Sequence, residues 1–408
     1  MKWKAIFAII FFPLSLFAAV QVGIDVLVSD PAYRNLIQNK RVGLIANQSA
    51  VNCEQKSTLE ILQEHGCNVI AVFAPEHGYF GNEHNSKHVS HSKIGNVPVF
   101  SIYGTTRRPN DEMLKNVDIL IYDIQDIGTR GYTYVTTLFY CMEEAAKRKL
   151  TVIVLDRPNP MGGHIVDGLI PEDKMRFFCS YIAVPYCHGM TVGELALFFN
   201  KEYQTNCALH VVPMRGWKRG MSFEQTGLVW VPLSPQIPEA DTPYYFATTG
   251  VIGHCSLLSI GIGYTLPFKI VGAPWVESKN FADALNRQNL PGVKFQPFYF
   301  KPFYGKYTSQ DCQGVRIVIT NKEKYLPFTT QYTIMGVLKS LYPKQFEEAM
   351  TEFCKVRSRV DDFHKLNGRN DILHIFNNEK FIIWKLRELI QKDRERFMPI
   401  RQKYLLYD

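Results

Sequence analysis

Four apolar runs in this chain each stop at a cluster of polar residues: Arg41-Val-Gly-Leu-Ile-Ala-Asn47-Gln48-Ser49, Val69-Ile-Ala-Val-Phe-Ala-Pro-Glu76-His77-Gly78, Val117-Asp-Ile-Leu-Ile-Tyr-Asp123-Ile-Gln125-Asp126 and Leu150-Thr-Val-Ile-Val-Leu-Asp156-Arg157-Pro158-Asn159-Pro160. Short, continuous, β-branched runs separated by helical stretches are the pattern of parallel strands buried on both faces. In an open α/β sheet, ligands bind in the crevice outside the carboxyl ends of the strands. The repetition therefore predicts that Asn47, Glu76, Asp123, Gln125, Asp126, Asp156 and Arg157 converge on one rim.

The intervening segments fit that reading. Residues 55–66 contain Ser57-Thr-Leu-Glu60, a capping box, and end at Gly66, which marks a helix between the first two strands. A fifth strand is expected over 97–102, ending at Tyr103-Gly104, and a longer helix over 132–149, with Lys147, Arg148 and Lys149 against its negative end. This alternation through about residue 155 implies an α/β fold, a Rossmann-like, mostly parallel sheet with helices on both faces and right-handed crossovers. Thr191-Val-Gly-Glu194 caps a further helix, and 208–212 reads as another strand.

Four prolines within residues 231–243 suggest a rigid surface connection near a domain boundary. Beyond it, strand-like pieces such as 314–320 alternate with helical ones, and 380–404 reads as an amphipathic helical region. At 408 residues the chain exceeds what one core usually supports, and 46% hydrophobic content is enough for two. The expected organisation is a Rossmann-like N-terminal subdomain over 20–235 and a smaller C-terminal α+β subdomain over 236–408.

Residues 1–19 have the layout of a secretory signal peptide: Lys2 and Lys4, an apolar run from Ala5 to Phe17, then Ala18-Ala19. That run is short for a membrane span, so the expected product is exported, periplasmic or secreted, with no span in the mature chain. The net charge of +8 falls to +6 when Lys2 and Lys4 are set aside, and no block of like charge concentrates it. A mixed, solvated surface accounts for such a balance, and no nucleic-acid partner is expected. The nine cysteines include no CxxC pair and are odd in number, which predicts no disulfide framework, with Cys141, Cys179 and Cys207 as small core residues.

Several chemistries lack their motifs. The turn after the first strand, Asn47-Gln-Ser-Ala-Val-Asn-Cys53, contains no glycine, so the GxGxxG fingerprint is missing, as is a Walker loop, and no nucleotide cofactor is expected. No GxSxG elbow occurs. Glu83-His84, His88 and His91 have spacing that a helix would align for zinc, but flanking Asn, Ser, Lys and Gly residues favour a polar loop, and no metal is expected. Carboxylates remain. Glu76 follows a proline at a strand end, which aims it into the crevice as a candidate general acid. Protonating a glycosidic oxygen takes such a group, and a second carboxylate, Asp123 or Asp126, would assist water or steady an oxocarbenium-like state.

Each reading has a structural alternative. Glu76 could form an ion pair with Arg130 or Arg157, and Asp156 and Asn159 could bond to backbone in a turn whose glycines allow positive φ. Tyr103, Tyr132 and Tyr134 are either a sugar-stacking wall or core.

Taken together, Ala74-Pro-Glu-His-Gly78, Tyr122-Asp-Ile-Gln-Asp-Ile-Gly128 with Arg130 and Tyr132-Thr-Tyr134, Leu155-Asp-Arg-Pro-Asn-Pro-Met-Gly-Gly163, His188-Gly-Met-Thr-Val-Gly-Glu-Leu195 and Gly272-Ala-Pro-Trp275 resemble the NamZ-type exo-β-N-acetylmuramidases, bacterial cell-wall glycosidases. The resemblance runs from about Gly23 to the chain end. It implies a cleft between a Rossmann-like and a smaller subdomain that removes N-acetylmuramic acid from the non-reducing end of peptidoglycan-derived saccharides. Its catalytic glutamate corresponds to Glu76, and its cleft residues map onto Asn47, His77, Asp123, Gln125, Asp126, Arg130, Tyr132 and His188, with Arg157 added from the strand-end pattern. An arginine suits the site because a guanidinium grips the lactyl carboxylate of muramic acid in bidentate fashion.

One segment departs from the family. Where relatives carry a polar stretch with two glutamates and an arginine, this chain reads His254-Cys-Ser-Leu-Leu-Ser-Ile-Gly-Ile-Gly-Tyr-Thr265, and the usual threonine before Asn47 is Ala46. The alternative to an active hydrolase is thus a weakened or inactive homologue that binds muropeptides or related sugars.

Overall fold

The computed structural model describes residues 19–84 and 90–408; the expected leader and His88 lie outside them, apart from Ala19. Seven strands form the main sheet: β1 (Arg41–Ala46), β2 (Asn68–Ala74), β3 (Ser92–Ile94), β4 (Val97–Ser101), β5 (Ile119–Asp123), β6 (Thr151–Leu155) and β7 (Ala208–Val212). Their order is β3-β4-β2-β1-β5-β6-β7, with every neighbouring pair parallel except β3 against β4. β1, β2, β5 and β6 carry buried apolar runs because both faces of the sheet are covered; all five residues of β5 are buried. The α/β expectation holds, and all four sequence runs are strands.

The chain proceeds from β1 outward to β2 and β4, then returns to β5 and moves the other way to β6 and β7. The reversal between β1 and β5 is the switch point that opens a crevice at the carboxyl edge. Glu76 follows β2, Tyr103 follows β4, and Asn47 and Asp123 flank the switch itself.

Local chemistry sets the connecting helices. Ser57 caps Thr58–Glu64 through a reciprocal box with Glu60, and Thr191 caps Val192–Glu202 in the same way with Glu194. The expected 132–149 helix is Tyr134–Lys147. Past it, a second antiparallel sheet has the order β8-β10-β9, from β8 (Ile270–Ala273), β9 (Val293–Phe300) and β10 (Cys312–Ile319). Helices Thr242–Cys255, Pro327–Leu341 and Ile382–Arg401 accompany it, and one apolar cluster runs continuously from Phe73 and Leu120 to Tyr332, Phe376 and Leu386.

The proline-rich stretch runs along the surface with Pro232, Pro235 and Pro238 exposed, but it is anchored inward: Leu233, Ser234 and Ile237 are buried, and the Leu233 carbonyl accepts hydrogen bonds from the Tyr134 hydroxyl (2.7 Å) and from Gln48 Nε2 (3.1 Å). Prolines suit this path because a segment pressed against a tyrosine side needs acceptors more than donors. Pro243 then opens the first turn of Thr242–Cys255, where its missing N–H costs nothing.

Candidate active site

Glu76 owes its placement to a sharp exit from β2. After Pro75, His77 and Gly78 both adopt left-handed backbone (φ 68 and 76), which folds the chain back and leaves the Glu76 side chain at the crevice, 7% exposed. A left-handed histidine costs energy, the kind of strain that gathers at functional sites. Thr133 Oγ1 donates to Glu76 Oε2 at 2.7 Å, and the Tyr103 phenol lies close enough to feel the carboxylate's charge. Thr133 is the N-cap of Tyr134–Lys147, so the carboxylate lies at the positive end of that helix. Burial, with the Glu76 charge beside it, pushes the Tyr103 phenol up to about 12, so it remains a donor through the neutral range.

The expected alternative, an ion pair with Arg130 or Arg157, does not form. Among the described residues Glu76 makes no salt bridge. Arg157 instead clamps Asp123 through Nε and through Nη2 at 2.9 Å, while Thr58 donates to the same carboxylate. Arg130 is 2% exposed, and its guanidinium donates to Ser180 Oγ and to the carbonyls of Leu169 (3.2 Å) and Leu366 (3.1 Å). It ties loops together, out of reach of a ligand carboxylate.

Beside Glu76 stands a wall with unused donors. Asn47 Oδ1 accepts from Ser49 N (3.0 Å) and Oγ (2.6 Å), which leaves its Nδ2 without a partner among the described residues. The Tyr132 ring meets Tyr134 edge-on at 4.8 Å and Phe246 of Thr242–Cys255 at 5.9 Å; its buried hydroxyl is likewise unpaired. Buried polar atoms left open in a crevice are those a ligand or water satisfies. His77 Nδ1 lies 2.7 Å from the Glu83 carbonyl, so Nδ1 carries the hydrogen and Nε2 is the acceptor.

Other rim residues serve the scaffold. Gln125 Nε2 donates to the carbonyls of Asp126 (2.7 Å) and Pro158 (2.8 Å). Asp156 accepts from Gly193 N, Thr191 Oγ1 and the Tyr407 phenol, so it joins β6, Val192–Glu202 and the chain end. His188 is fully buried, its Nδ1 accepts from Met190 N at 3.2 Å, and burial beside Arg401 and Arg130 lowers its pKa to about 3. Gly128 (φ 81) needs its missing side chain, because a Cβ would stand 2.2 Å from Asn159 Oδ1.

Asp126 accepts from Gly128 N at 2.8 Å, and its other oxygen is buried and unpaired. Burial pushes this carboxyl up to about 7. The folded form therefore holds its proton to higher pH than the unfolded chain, and the stability this lends is lost as pH rises from the ordinary carboxylate range through about 7. Asp126→Asn, which keeps the bond from Gly128, should be more stable than the native protein at pH 8 by about 1–3 kcal/mol and flatten the decline between pH 4 and 7. Urea denaturation across that range checks it; an unchanged pH profile would count against the assignment.

The carboxyl end of β4 brings residues that strand-end reasoning left out. Arg107 lies over the Phe178 ring at 4.2 Å and near Tyr103 at 5.6 Å. Cys179, expected in the core, is half-buried, and its thiol feels the charges of Glu76, Arg107 and Asp362. Asp362 comes from the helix Arg357–Asn367, which packs on Thr242–Cys255. The 97–102 strand was legible, and extending the rim rule to its end would have reached Tyr103 and Arg107. Nothing in the sequence signals Asp362. In the 254–265 segment, Leu257, Leu258 and Ile260 are buried and Ser259 pairs with Gly272, so apolar packing holds this stretch.

Residues 42–241 match the family described as exo-beta-N-acetylmuramidase NamZ, N-terminal, and residues 244–407 match its C-terminal counterpart. The chain belongs to the NamZ exo-β-N-acetylmuramidase family. Its NamZ relatives include the peptidoglycan beta-N-acetylmuramidase NamZ of Bacillus subtilis (strain 168), 38% identical over 393 residues, which are 95% of this chain and 91% of that one. A DUF1343 family protein from Bacteroides fragilis, known from its crystal structure, is 39% identical with a TM-score of 0.88, covering 96% of this chain and 99% of its own. A second DUF1343 family protein from the same organism is 27% identical with a TM-score of 0.68, covering 95% and 99%. NamZ membership thus extends over both sheets and both walls of the crevice.

Proposed function

We propose that this protein is an exo-acting glycoside hydrolase that removes N-acetylmuramic acid from the non-reducing end of peptidoglycan fragments, with Glu76 as the general acid. The observation that carries this is the state of Glu76: a nearly buried carboxyl at a strand end, held by the Thr133 hydroxyl beside the Tyr103 phenol, without a counter-ion among the described residues. A carboxyl so placed can deliver a proton to a glycosidic oxygen and take it back. Asn47 Nδ2 and the Tyr132 hydroxyl supply the unused polar contacts a sugar needs. His77 and Thr133 position the acid, and Asp123 with Arg157 holds the switch-point loop in shape.

Of the two carboxylates expected to assist water, Asp123 is neutralised by Arg157 and Asp126 is buried with a raised pKa. Asp362, half-buried on the helix Arg357–Asn367 and making no salt bridge among the described residues, is the candidate base in this reading, its charge reaching Cys179 as that of Glu76 does. The leader-like residues 1–19 support export, which would bring the protein to its polymer; cell fractionation tests that.

The apolar 254–265 segment favours a second reading, a homologue that binds muropeptides without turnover. One experiment separates them. The protein is incubated with a chromogenic β-muramide and with a muramyl-glucosamine disaccharide, and free N-acetylmuramic acid is measured. Release from both supports the hydrolase; sugar binding without release overturns it in favour of the second reading.

A further inference from the structure

We propose that Arg107 is the residue that binds the lactyl carboxylate of the terminal muramic acid and so selects it over N-acetylglucosamine; this rests on the hydrolase reading of the Glu76 site. Two consecutive arginines follow β4, and the structure treats them differently. Arg108 is tied down by Glu143 (2.5 Å), Glu144 (3.4 Å) and the Tyr140 ring (3.8 Å). Arg107 is exposed and makes no salt bridge or side-chain hydrogen bond among the described residues. The chain outside them, residues 1–18 and 85–89, contains no Asp or Glu.

This free guanidinium is not loose. Its central carbon lies 4.2 Å from the centre of the Phe178 ring and 5.6 Å from that of Tyr103, the two rings pack on one another at 5.9 Å, and the Tyr103 phenol feels the charges of both Glu76 and Arg107. A guanidinium held over an aromatic ring keeps N–H groups free to receive a carboxylate in bidentate fashion. The lactyl ether hangs from the third ring carbon of muramic acid, two ring atoms from the scissile anomeric carbon. A sugar whose glycosidic oxygen meets Glu76 therefore carries its carboxylate close to that bond, and Tyr103 is the side chain that links Glu76 to Arg107. Arg130 and Arg157, the arginines expected to serve, are buried and committed to Leu169, Leu366 and Asp123. N-acetylglucosamine has a hydroxyl in place of the lactyl ether and would leave Arg107 unpaired.

The test uses the full chain, its Arg107→Gln and Arg107→Lys variants, and Arg359→Gln, on the helix Arg357–Asn367, as a control for loss of a positive charge elsewhere. Binding of free N-acetylmuramic acid, its lactyl methyl ester and N-acetylglucosamine is measured by calorimetry, alongside kcat and KM on the chromogenic muramide. The native protein should bind the acid at least tenfold more tightly than the ester. Arg107→Gln should weaken binding of the acid, and raise KM, by about 30-fold, with ester and glucosamine affinities unchanged and kcat nearly so. Arg107→Lys should recover part of the loss, and Arg359→Gln should behave as native. Equal effects on acid and ester, or selectivity lost in Arg359→Gln instead, overturn the proposal. Arg107-dependent acid binding without muramide turnover would sink the hydrolase reading alone. No preference for the acid in the native protein sinks the Arg107 assignment whether or not turnover occurs.

Discussion

Glu76→Gln should lower kcat on the muramyl-glucosamine disaccharide by a factor of about 10²–10⁴ while leaving the fold intact. The amide keeps an oxygen to accept from Thr133, so the hydrogen bond at 2.7 Å survives the change. What disappears is the proton. Its loss matters most when the departing group is a poor leaving group, as a sugar alkoxide is, and matters less for a nitrophenolate that leaves without help. The loss should therefore be markedly smaller on the chromogenic muramide than on the disaccharide. Equal rates in native and variant proteins would remove Glu76 from catalysis, and equal losses on both substrates would make it a nucleophile instead. The denaturation midpoint should stay nearly the same, because the amide fills the same volume and keeps the oxygen that accepts from Thr133.

Arg157→Leu should cost about 3–5 kcal/mol of stability, the largest effect expected of any single change at the rim. Asp123 is completely buried, and Arg157 is its only cationic partner among the described residues. With the guanidinium gone, Thr58 alone remains to satisfy the carboxylate, and the bond from Arg157 Nη2 to the Val51 carbonyl (2.7 Å) goes with it. The penalty comes from the stranded charge more than from the lost attraction, so a second change that removes the charge should restore part of the stability. Urea midpoints of Arg157→Leu, Asp123→Asn and the double variant measure this. A double variant as unstable as the sum of the two singles would show that the pair is not coupled.

These two predictions also show what the sequence disclosed and what it hid. Periodicity and turn chemistry reveal strands, caps and the rim, because burial on both faces demands continuous apolar runs and strand ends are where chemistry collects. Residue type alone cannot say how an arginine is used. Arg157 and Arg130 are indistinguishable in sequence from ligand-binding arginines, yet the first neutralises Asp123 and the second caps carbonyls of Leu169 and Leu366, contacts formed with residues far along the chain. Asp156 went the other way: the turn-like alternative weighed for it is close to what the structure shows, with the addition of Thr191 and Tyr407. Asp362 was hidden because it comes from a helix whose neighbours are set by packing of the second half onto the first.

The last residues of the chain have a consequence for how the protein folds. The Tyr407 phenol donates to Asp156, the Leu406 amide donates to Glu194 at 2.8 Å, and the Asp408 carbonyl accepts from Arg219 N at 2.8 Å. The three partners lie on different elements of the first half: Asp156 just after β6, Glu194 in the helix Val192–Glu202 and Arg219 in the loop beyond β7. Residues 406–408 therefore act as a clasp, and removing them would strand buried acceptors at Asp156 and Glu194 together. Contacts this far apart in sequence form late in folding, so the first half gains its last hydrogen bonds only when the second half has docked.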